Sequence, residues 1–118
     1  MDDLLWSQVS GFLFCTKEEY LQALSSFTKY AVVRDGVLIG VVLTRDDEIH
    51  VAWKHGEQGT RSLLRQHLGG LIKRYGHAVT RVPVWRTASQ EFVARLGFVE
   101  SHRDANDIYY RIERMNHV

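Results

Sequence analysis

The chain has 118 residues, of which 45% are hydrophobic and 25% are charged, and these values are typical of one globular domain with a single modest core. No apolar run approaches the length of about 18 residues that a membrane span requires, and the acidic start at Asp2 and Asp3 is unlike the basic start of a secretory signal. The sequence has one cysteine, Cys15, so an internal disulfide is excluded and a reducing, cytoplasmic setting is expected.

The first helix is predicted over residues 17–28. Thr16 and Glu19 form a capping-box pattern, in which a hydroxyl and a carboxylate accept hydrogen bonds from the free backbone donors at a helix start. Apolar side chains then recur at helical spacing at Tyr20, Leu21, Leu24 and Phe27. A strand around Gly11 to Cys15 is expected before this helix.

Three antiparallel strands are predicted after the first helix. Two β-branched runs flank Asp35 and Gly36, a pair of residues that tolerates the positive φ angles of a tight hairpin turn. A second turn at residues 45–47 leads into the third strand, EIHVAW, at residues 48–53. The three strands are therefore expected to form a meander.

The clearest helix is predicted over residues 60–75, because its apolar residues fall on one face. Those residues are Leu63, Leu64, His67, Leu68, Leu71, Ile72 and Tyr75. The Gly69-Gly70 pair inside the helix costs about 1 kcal/mol per glycine relative to alanine, which favours either a close backbone approach or a kink. Gly76 is expected to end the helix.

In the last third of the chain the sequence predicts a strand, a helix and two further strands, in that order. Pro83 lies in the first of these strands, at 77–85, and has no amide donor, so it is expected at an edge, a bulge or a splayed part of the sheet. A second capping-box pattern runs from Thr87 to Gln90. The remaining elements are a helix through Leu96, ended by Gly97, and strands at 98–102 and 107–114.

This order of elements predicts one α+β domain spanning residues 1–118. The first three strands after the first helix are antiparallel. The second predicted helix then connects the third of these strands to the fourth. A mixed, mainly antiparallel central sheet flanked by helices on both faces satisfies that order.

Positive charge is concentrated in the middle of the chain. Residues 1–52 carry eight acidic and four basic side chains, whereas residues 53–86 carry seven basic side chains and one acidic side chain. Such a segment suits a phosphate-bearing partner, either a nucleotide cofactor or nucleic acid, although it is equally compatible with a solvated helix face. Few aromatic residues interrupt the segment, so a stacking platform for single strands is disfavoured.

Two sequence features, together with the order of elements, resemble the GNAT superfamily of acyl-CoA-dependent N-acetyltransferases. The first is FVARLGF at residues 92–98, which follows the strand VPVW and the polar stretch RTASQE. The second is EIHVAWKHGEQGTRSLLRQHL at residues 48–68, a strand, a glycine-containing loop and a long helix. The resemblance covers roughly residues 30–112 and implies a GNAT-like fold, acetyl-CoA as cofactor and transfer of its acetyl group to an amine.

The resemblance implies that the loop after the third strand of the meander holds the phosphates of coenzyme A. Backbone amides at a helix start point towards an anion, and glycine allows its close approach. Aligning Ser62 with the start of the family's helix places Gln58 and Thr60 at its two glycine positions, so the loop is a degenerate form. The implied cofactor-binding residues are Trp53, Lys54, Gly56, Gln58, Gly59, Thr60 and Arg61.

Acetyl transfer to an amine needs a base for the ammonium proton and an acid for the departing thiolate. Glu48 and His50 are the candidate bases, and a solvent-facing pair is the alternative interpretation. Val93 stands where the family frequently has a tyrosine acid, and valine cannot donate a proton. The acid is therefore expected to be Tyr109, Tyr110 or a water molecule.

Three interpretations of function remain open. The first is an active N-acetyltransferase. The second is a catalytically inactive GNAT-fold protein with a structural or binding role, and here the chain also resembles the GNAT-like proteins of short-tailed phages, with virion association in place of a cytoplasmic location. The third, a nucleic-acid-binding module, is disfavoured. No metal site is expected, because His55 and His67 lack ligand spacing. A homodimer stays open.

Overall fold

The computed structural model describes residues 1–7, 15–54 and 62–114. Within these ranges the chain forms four helices and six strands. In chain order they are α1 (Asp2–Ser7), α2 (Lys17–Ala23), β1 (Thr28–Arg34), β2 (Val37–Arg45), β3 (Glu48–Trp53), α3 (Ser62–Tyr75), β4 (Ala78–Pro83), α4 (Thr87–Leu96), β5 (Val99–Arg103) and β6 (Asp107–Ile112). None of the helices in these ranges has the length and apolar character needed to cross a membrane.

The strands form one mixed sheet in the order β1-β2-β3-β4-β6-β5. β3 pairs with β4 in parallel, whereas β1 with β2, β4 with β6 and β5 with β6 are antiparallel. The predicted α+β class with a mixed, mainly antiparallel sheet is therefore confirmed. Backbone contacts divide the chain into two compact units, Met1–Arg45 with His50–Leu64, and Asp46–Ile49 with Arg65–Val118.

In the first unit, the N-terminal residues form a short helix, α1, that the sequence analysis did not predict. Leu5 is 1% exposed and packs with Val41 and Leu43 of β2 in a buried cluster. Asp2 and Asp3 lie in the first turn, where carboxylates favour the helix dipole. Six residues are too few to show a helical period, which is why the pattern was missed. The predicted strand around Gly11 lies outside the described residues.

Helix α2 begins as predicted and ends early. The hydroxyl of Thr16 accepts a hydrogen bond from the Glu19 amide at 3.1 Å, and the Glu19 carboxylate accepts one from the Thr16 amide at 3.1 Å, so the capping box is confirmed. The predicted extension to residue 28 is wrong. The amides of Ser25 and Phe27 bond to carbonyls three residues back, and the Ser25 hydroxyl bonds to the Gln22 carbonyl at 2.7 Å. This local bonding competes with the continuing helix.

The β1–β2 hairpin is confirmed with its turn residues. Asp35 has φ 53° and Gly36 has φ 77°, so both occupy the left-handed region that the turn requires. The second turn has Asp46 at φ 52° and leads directly into β3 at Glu48, as predicted.

In the second unit, β4, β6 and β5 form an antiparallel ribbon with one buried face. Alternate residues of two strands are buried, namely Ala78, Thr80 and Val82 on β4 and Ile108, Tyr110 and Ile112 on β6. Arg81 and Arg111, on the opposite face, are exposed. Among the described residues, β4 pairs with β3 at Glu48↔Val79, so Pro83 lies beyond that pair and its missing amide breaks no bond to β3.

Helix α3 ends at Tyr75, and Gly76 follows at φ 83°, as predicted. Leu64 and Leu68 on its apolar face are buried. A Cβ atom at Gly70 would meet nothing within 4 Å, so of the two alternatives for the glycine pair, a close backbone approach does not apply at Gly70.

Helix α4 confirms the predicted end but not the predicted start. Its N-cap is Arg86, which makes no side-chain capping bond, so the second capping box is wrong. The side-chain Nε2 of Gln90 instead donates to the carbonyls of Pro83 at 3.2 Å and Val84 at 3.0 Å. At the other end Gly97 has φ 114° and caps the helix. Phe92, Leu96 and Phe98 are buried, as predicted.

Candidate functional site

In strand β3, backbone alternation places the two polar side chains on the same face. Glu48 and His50 point to one face of the strand and are half-buried. Ile49 and Trp53 point to the other face and are 3% and 7% exposed. The two candidate bases are therefore neighbours on one side of one strand, and the candidate cofactor residue Trp53 is on the other side.

The His50 ring is positioned by an aromatic contact from the turn after α2. Its centroid lies 5.6 Å from that of Phe27, with the planes at 73° in a T-shaped arrangement. The Arg45 guanidinium lies 4.2 Å from the Phe27 centroid and donates a hydrogen bond to the Ser26 hydroxyl at 2.8 Å. Phe27 is thus fixed between a cation and the imidazole, which limits how far the His50 ring can turn.

The strand register places Glu48 and Tyr109 on the same face of the sheet, but not in contact. Glu48 pairs with Val79 on β4, and Tyr109 on β6 pairs with Arg81, two residues further along β4. Two strand spacings and two residues separate them, which puts their Cα atoms about 12 Å apart. A reaction that used both side chains would need a substrate extending between them.

The Tyr109 hydroxyl is held by the turn between β5 and β6. It donates a hydrogen bond to an Asp104 carboxylate oxygen at 3.1 Å, and its ring stacks on His102 with centroids 4.3 Å apart. Asp104 also accepts from the backbone amides of Asp107 and Asn106, both at 2.8 Å. These amide bonds first, and the tyrosine second, hold the pKa of the Asp104 carboxyl below its usual range.

Tyr110, the alternative acid, lies on the opposite face of β6. It pairs with Thr80 on β4 and Glu100 on β5, and it is 8% exposed. Burial, reinforced by the Glu100 carboxylate, raises the pKa of the Tyr110 hydroxyl. The hydroxyl therefore keeps its proton at neutral pH and is poorly accessible to solvent.

Trp53 is buried and fixed against Gly40 of β2. A Cβ atom at position 40 would lie 2.6 Å from the Cε3 atom of the indole, so only glycine leaves room for the ring. The Trp53 indole nitrogen is buried and has no hydrogen-bond partner among the described residues. Lys54 follows on the exposed surface, and its amide donates to the Ile39 carbonyl at 2.8 Å.

The remaining predicted cofactor residues have no structural description. Gly56, Gln58, Gly59, Thr60 and Arg61 all lie in the 55–61 segment, outside the described residues. Their assignment stays a prediction from the resemblance.

Sequence reasoning missed the pairing of Gly40 with Trp53, although a signal was present. Gly40 interrupts the run VLIGVVL, and a glycine inside a strand often marks the close approach of another group. The hydrogen-bond contact of His77 with Asp47, with 2.7 Å between Nε2 and Oδ2, had no such signal, because the two residues are 30 positions apart.

Val93 is a core residue of this chain. It is 8% exposed, and its carbonyl accepts the Phe98 amide at 3.1 Å in the helix-ending turn. Within the described residues no three His, Cys, Asp or Glu side chains could hold a metal ion. His67 is half-buried on α3, where burial lowers the pKa of its imidazole.

Comparison with known proteins identifies the fold through structure. No protein-family model matches the sequence, and no curated protein matches it significantly. The ribosomal-protein-S18-alanine N-acetyltransferase from Escherichia coli matches with a TM-score of 0.65 at 19% identity, over 90% of this chain and 83% of that one. A GNAT family acetyltransferase from Elizabethkingia anophelis with acetyl-CoA bound matches with a TM-score of 0.64 at 15% identity, over 84% of each chain. This chain has the GNAT fold.

Another GNAT-fold match was solved with coenzyme A present. The PaiA N-acetyltransferase from Thermoplasma acidophilum, in complex with coenzyme A, has a TM-score of 0.65 at 14% identity, over 96% of this chain and 87% of that one. Structural likeness at identities this low shows the GNAT fold alone. The chemistry of this chain has to be argued from its own residues.

Proposed function

We propose that this protein binds coenzyme A next to the end of β3 and, as acetyl-CoA, uses it to acetylate an amine. The observation that carries the proposal is the extent of the fold likeness, since a match to a coenzyme A complex spans 96% of this chain. The basic balance of residues 53–86 supports it, because the cofactor carries several phosphate charges.

The described residues near the end of β3 fit such a ligand. The buried indole N–H of Trp53 has no partner in the part of the chain that the structure describes, and Lys54 is exposed. In this proposal Lys54, Thr60 and Arg61 bind the phosphates, and Gly56, Gln58 and Gly59 provide backbone donors. The cofactor supplies an acetyl group already activated as a thioester.

The chain's own contribution to catalysis is proton transfer on the polar face of β3. His50 or Glu48 takes the proton from the acceptor ammonium, directly or through one water molecule, which leaves the amine free to attack. The contact with Phe27 holds the His50 ring in one orientation for this step. Val93 offers no proton, so the departing thiolate is protonated by Tyr109, Tyr110 or water.

Calorimetric titration with coenzyme A tests the binding step. We expect saturable binding and a thermal shift that grows with ligand concentration, equivalent to about 2.7 kcal/mol at 100 times Kd. A flat titration at millimolar coenzyme A, together with an unchanged melting temperature, would reject the proposal.

Thiol release from acetyl-CoA with a panel of amines tests the chemical step. Activity should fall by about 10²-fold or more in His50→Gln if the imidazole is the base, and Glu48→Gln tests the carboxylate in the same way. Both variants should still bind coenzyme A, because neither side chain is assigned to the cofactor. Full activity in both variants would contradict the proposed role of His50 or Glu48 as the base.

A catalytically inactive GNAT-fold protein is the second candidate. It is favoured by the buried Val93 at the acid position and by the Tyr109 hydroxyl bound to Asp104. Cofactor binding without thiol release for any amine would support this candidate. A phage protein that assembles into a virion is a more specific version of this second candidate. We would then expect the purified protein to self-associate in sedimentation experiments.

A further inference from the structure

One face of the sheet in the second unit brings two arginines close to the candidate base Glu48. The strand pairs place Val79 of β4 between Glu48 of β3 and Arg111 of β6, so these three side chains form one row. Arg81 lies two residues further along β4 on the same face. The two arginines are exposed, whereas Glu48 and Val79 are half-buried. One carboxylate and two cations therefore surround an apolar side chain.

The side chains of the two arginines contribute little to the stability of the ribbon. Arg81 makes no ion pair and no side-chain hydrogen bond with the residues that the structure describes. Arg111 contacts Glu113 at 3.3 Å, but the two side chains are 47% and 70% exposed, and such pairs contribute little. The register makes Arg81 and Arg111 diagonal neighbours, about 7–8 Å apart, so their like charges repel each other. An anion bound by both arginines would relieve this repulsion.

The charges on this face fit a small molecule that carries both an amine and an anionic group. Guanidinium groups bind carboxylate and phosphate oxygens through paired N–H donors, and a carboxylate such as Glu48 binds an ammonium group. Glu48 and Arg111 lie two strand spacings apart, with about 10 Å between their Cα atoms. Side chains stand roughly perpendicular to a sheet, so two charge-assisted hydrogen bonds of about 2.8 Å leave about 4 Å between them. That span matches an ammonium and an anion joined by two methylene groups, which would rest on Val79.

We propose that the acceptor is a small amine with a carboxylate or phosphate group, bound with its ammonium at Glu48 and its anion at Arg81 and Arg111. This inference rests on the proposed function and names the substrate class of its site. Glu48 takes one proton from the ammonium, and the amine nitrogen attacks the thioester carbonyl carbon. An N–C bond forms as the C–S bond breaks, and the thiolate leaves with the electron pair of that bond. The second proton that the nitrogen releases balances the one that the thiolate takes up, which gives the N-acetylated molecule and coenzyme A.

NMR titration with probes that share a two-carbon spacer tests this inference. β-Alanine and O-phosphoethanolamine carry both groups, β-alaninamide and ethanolamine lack the anion, and propionate and ethyl phosphate lack the amine. We expect the backbone signals of Glu48, Val79, Arg81 and Arg111 to shift with β-alanine or O-phosphoethanolamine. The Kd should be about tenfold lower than for either matching probe with one group, and the tighter of the two binders identifies the anion as carboxylate or phosphate. Signals that stay in place at tens of millimolar, or a matching probe that binds equally well, would overturn the inference.

Arg81→Gln and Arg74→Gln are matched variants, because each removes the charge of one exposed arginine and Arg74 lies on α3. In Arg81→Gln the preferred probe should bind about tenfold more weakly, and the matching amine should bind as before. The melting temperature should stay that of the wild type, since the Arg81 side chain makes no ion pair or hydrogen bond within the described ranges. Unchanged affinity in Arg81→Gln, or an equal loss in Arg74→Gln, would contradict a specific anion site.

Thiol release from acetyl-CoA separates this inference from the proposed function. Arg81→Gln should raise the KM of the preferred probe about tenfold with little change in kcat, and should leave the KM of the matching amine unchanged. Wild-type protein that acetylates ethanolamine or β-alaninamide as efficiently as the anionic probes would reject the inference alone. Wild-type protein that binds the anionic probes but not coenzyme A would reject the proposed function, and the ligand class of this face would stand.

Discussion

Gly40 lies where the Trp53 ring leaves no room for a side chain on β2. We expect Gly40→Ala to lower the free energy of unfolding by about 1–3 kcal/mol, because its methyl group would press on the indole and on the Ala52 carbonyl, 3.1 Å away. Urea unfolding measures the change.

Gly70→Ala is the matched control for that substitution. A Cβ atom there meets nothing within 4 Å, so the gain of about 0.5–1 kcal/mol from helix propensity should appear without a clash. If the two variants changed stability in the same direction, the contact between Gly40 and Trp53 would not govern the effect.

Asp104 should make the stability of the protein depend on pH in the acid range. Its pKa in the folded chain is below the usual value for an aspartic acid, first because backbone amides donate hydrogen bonds to the carboxylate. The unfolded chain therefore takes up the proton first as pH falls, so this contribution is present above about pH 4 and is lost as pH drops through the folded pKa. In Asp104→Asn the stability should fall less steeply between about pH 5 and pH 2.

Tyr109→Phe provides the comparison for Asp104, since it removes one hydroxyl donor and leaves both amides in place. Its acid profile should stay closer to the wild type than that of Asp104→Asn. Urea unfolding across the pH series measures both, and identical profiles for wild type and Asp104→Asn would contradict the assignment.

At the level of elements, helix α1 contributes one fully buried side chain to the first unit. Leu5 is 1% exposed in its cluster with Val41 and Leu43, so Leu5→Ala should cost about 2–5 kcal/mol. Lys17 forms an ion pair with the exposed Asp3, and Lys17→Met should change stability much less because exposed pairs contribute little. Urea unfolding measures both variants, and equal losses would contradict the prediction, because the exposed ion pair would then stabilise α1 as much as the buried leucine does.

The elements that sequence predicted well are those whose signals are local. The turn at Asp35 and Gly36 and the helix end at Gly97 each depend on positive φ at a named residue, and that preference can be read from the sequence. The second capping box failed because Gln90 bonds to the carbonyls of Pro83 and Val84 instead of to the helix start. Such competition depends on the loop conformation, which the four-residue pattern does not contain.

At the scale of the whole molecule, the order of elements predicted an α+β domain with a mixed sheet. The GNAT fold was predicted from that order together with the sequence features at residues 92–98 and 48–68, and none of these signals predicted the geometry of the site. The packing of Gly40 beneath Trp53 joins residues on different strands, and the stacking of His102 on Tyr109 depends on the β5–β6 register. Contacts of this kind arise from the assembled sheet, so no short pattern predicts them.

The uneven charge along the chain leads to a last prediction, which separates a local phosphate contact from a general electrostatic field. Lys54→Glu and Lys73→Glu make the same charge change at exposed lysines within the basic segment 53–86. If Lys54 binds a phosphate of coenzyme A, its reversal should raise the Kd about tenfold or more, because a charge-assisted hydrogen bond is replaced by repulsion.

Lys73, near the end of α3, is expected to contribute only to the electrostatic field of the basic segment. Lys73→Glu should therefore raise the Kd for coenzyme A less than Lys54→Glu does, and this rise should disappear at high salt, which screens the field. Calorimetry at low and high salt measures both variants. Equal losses that vanish together at high salt would mean that the basic segment attracts the cofactor as a whole and that Lys54 makes no specific contact.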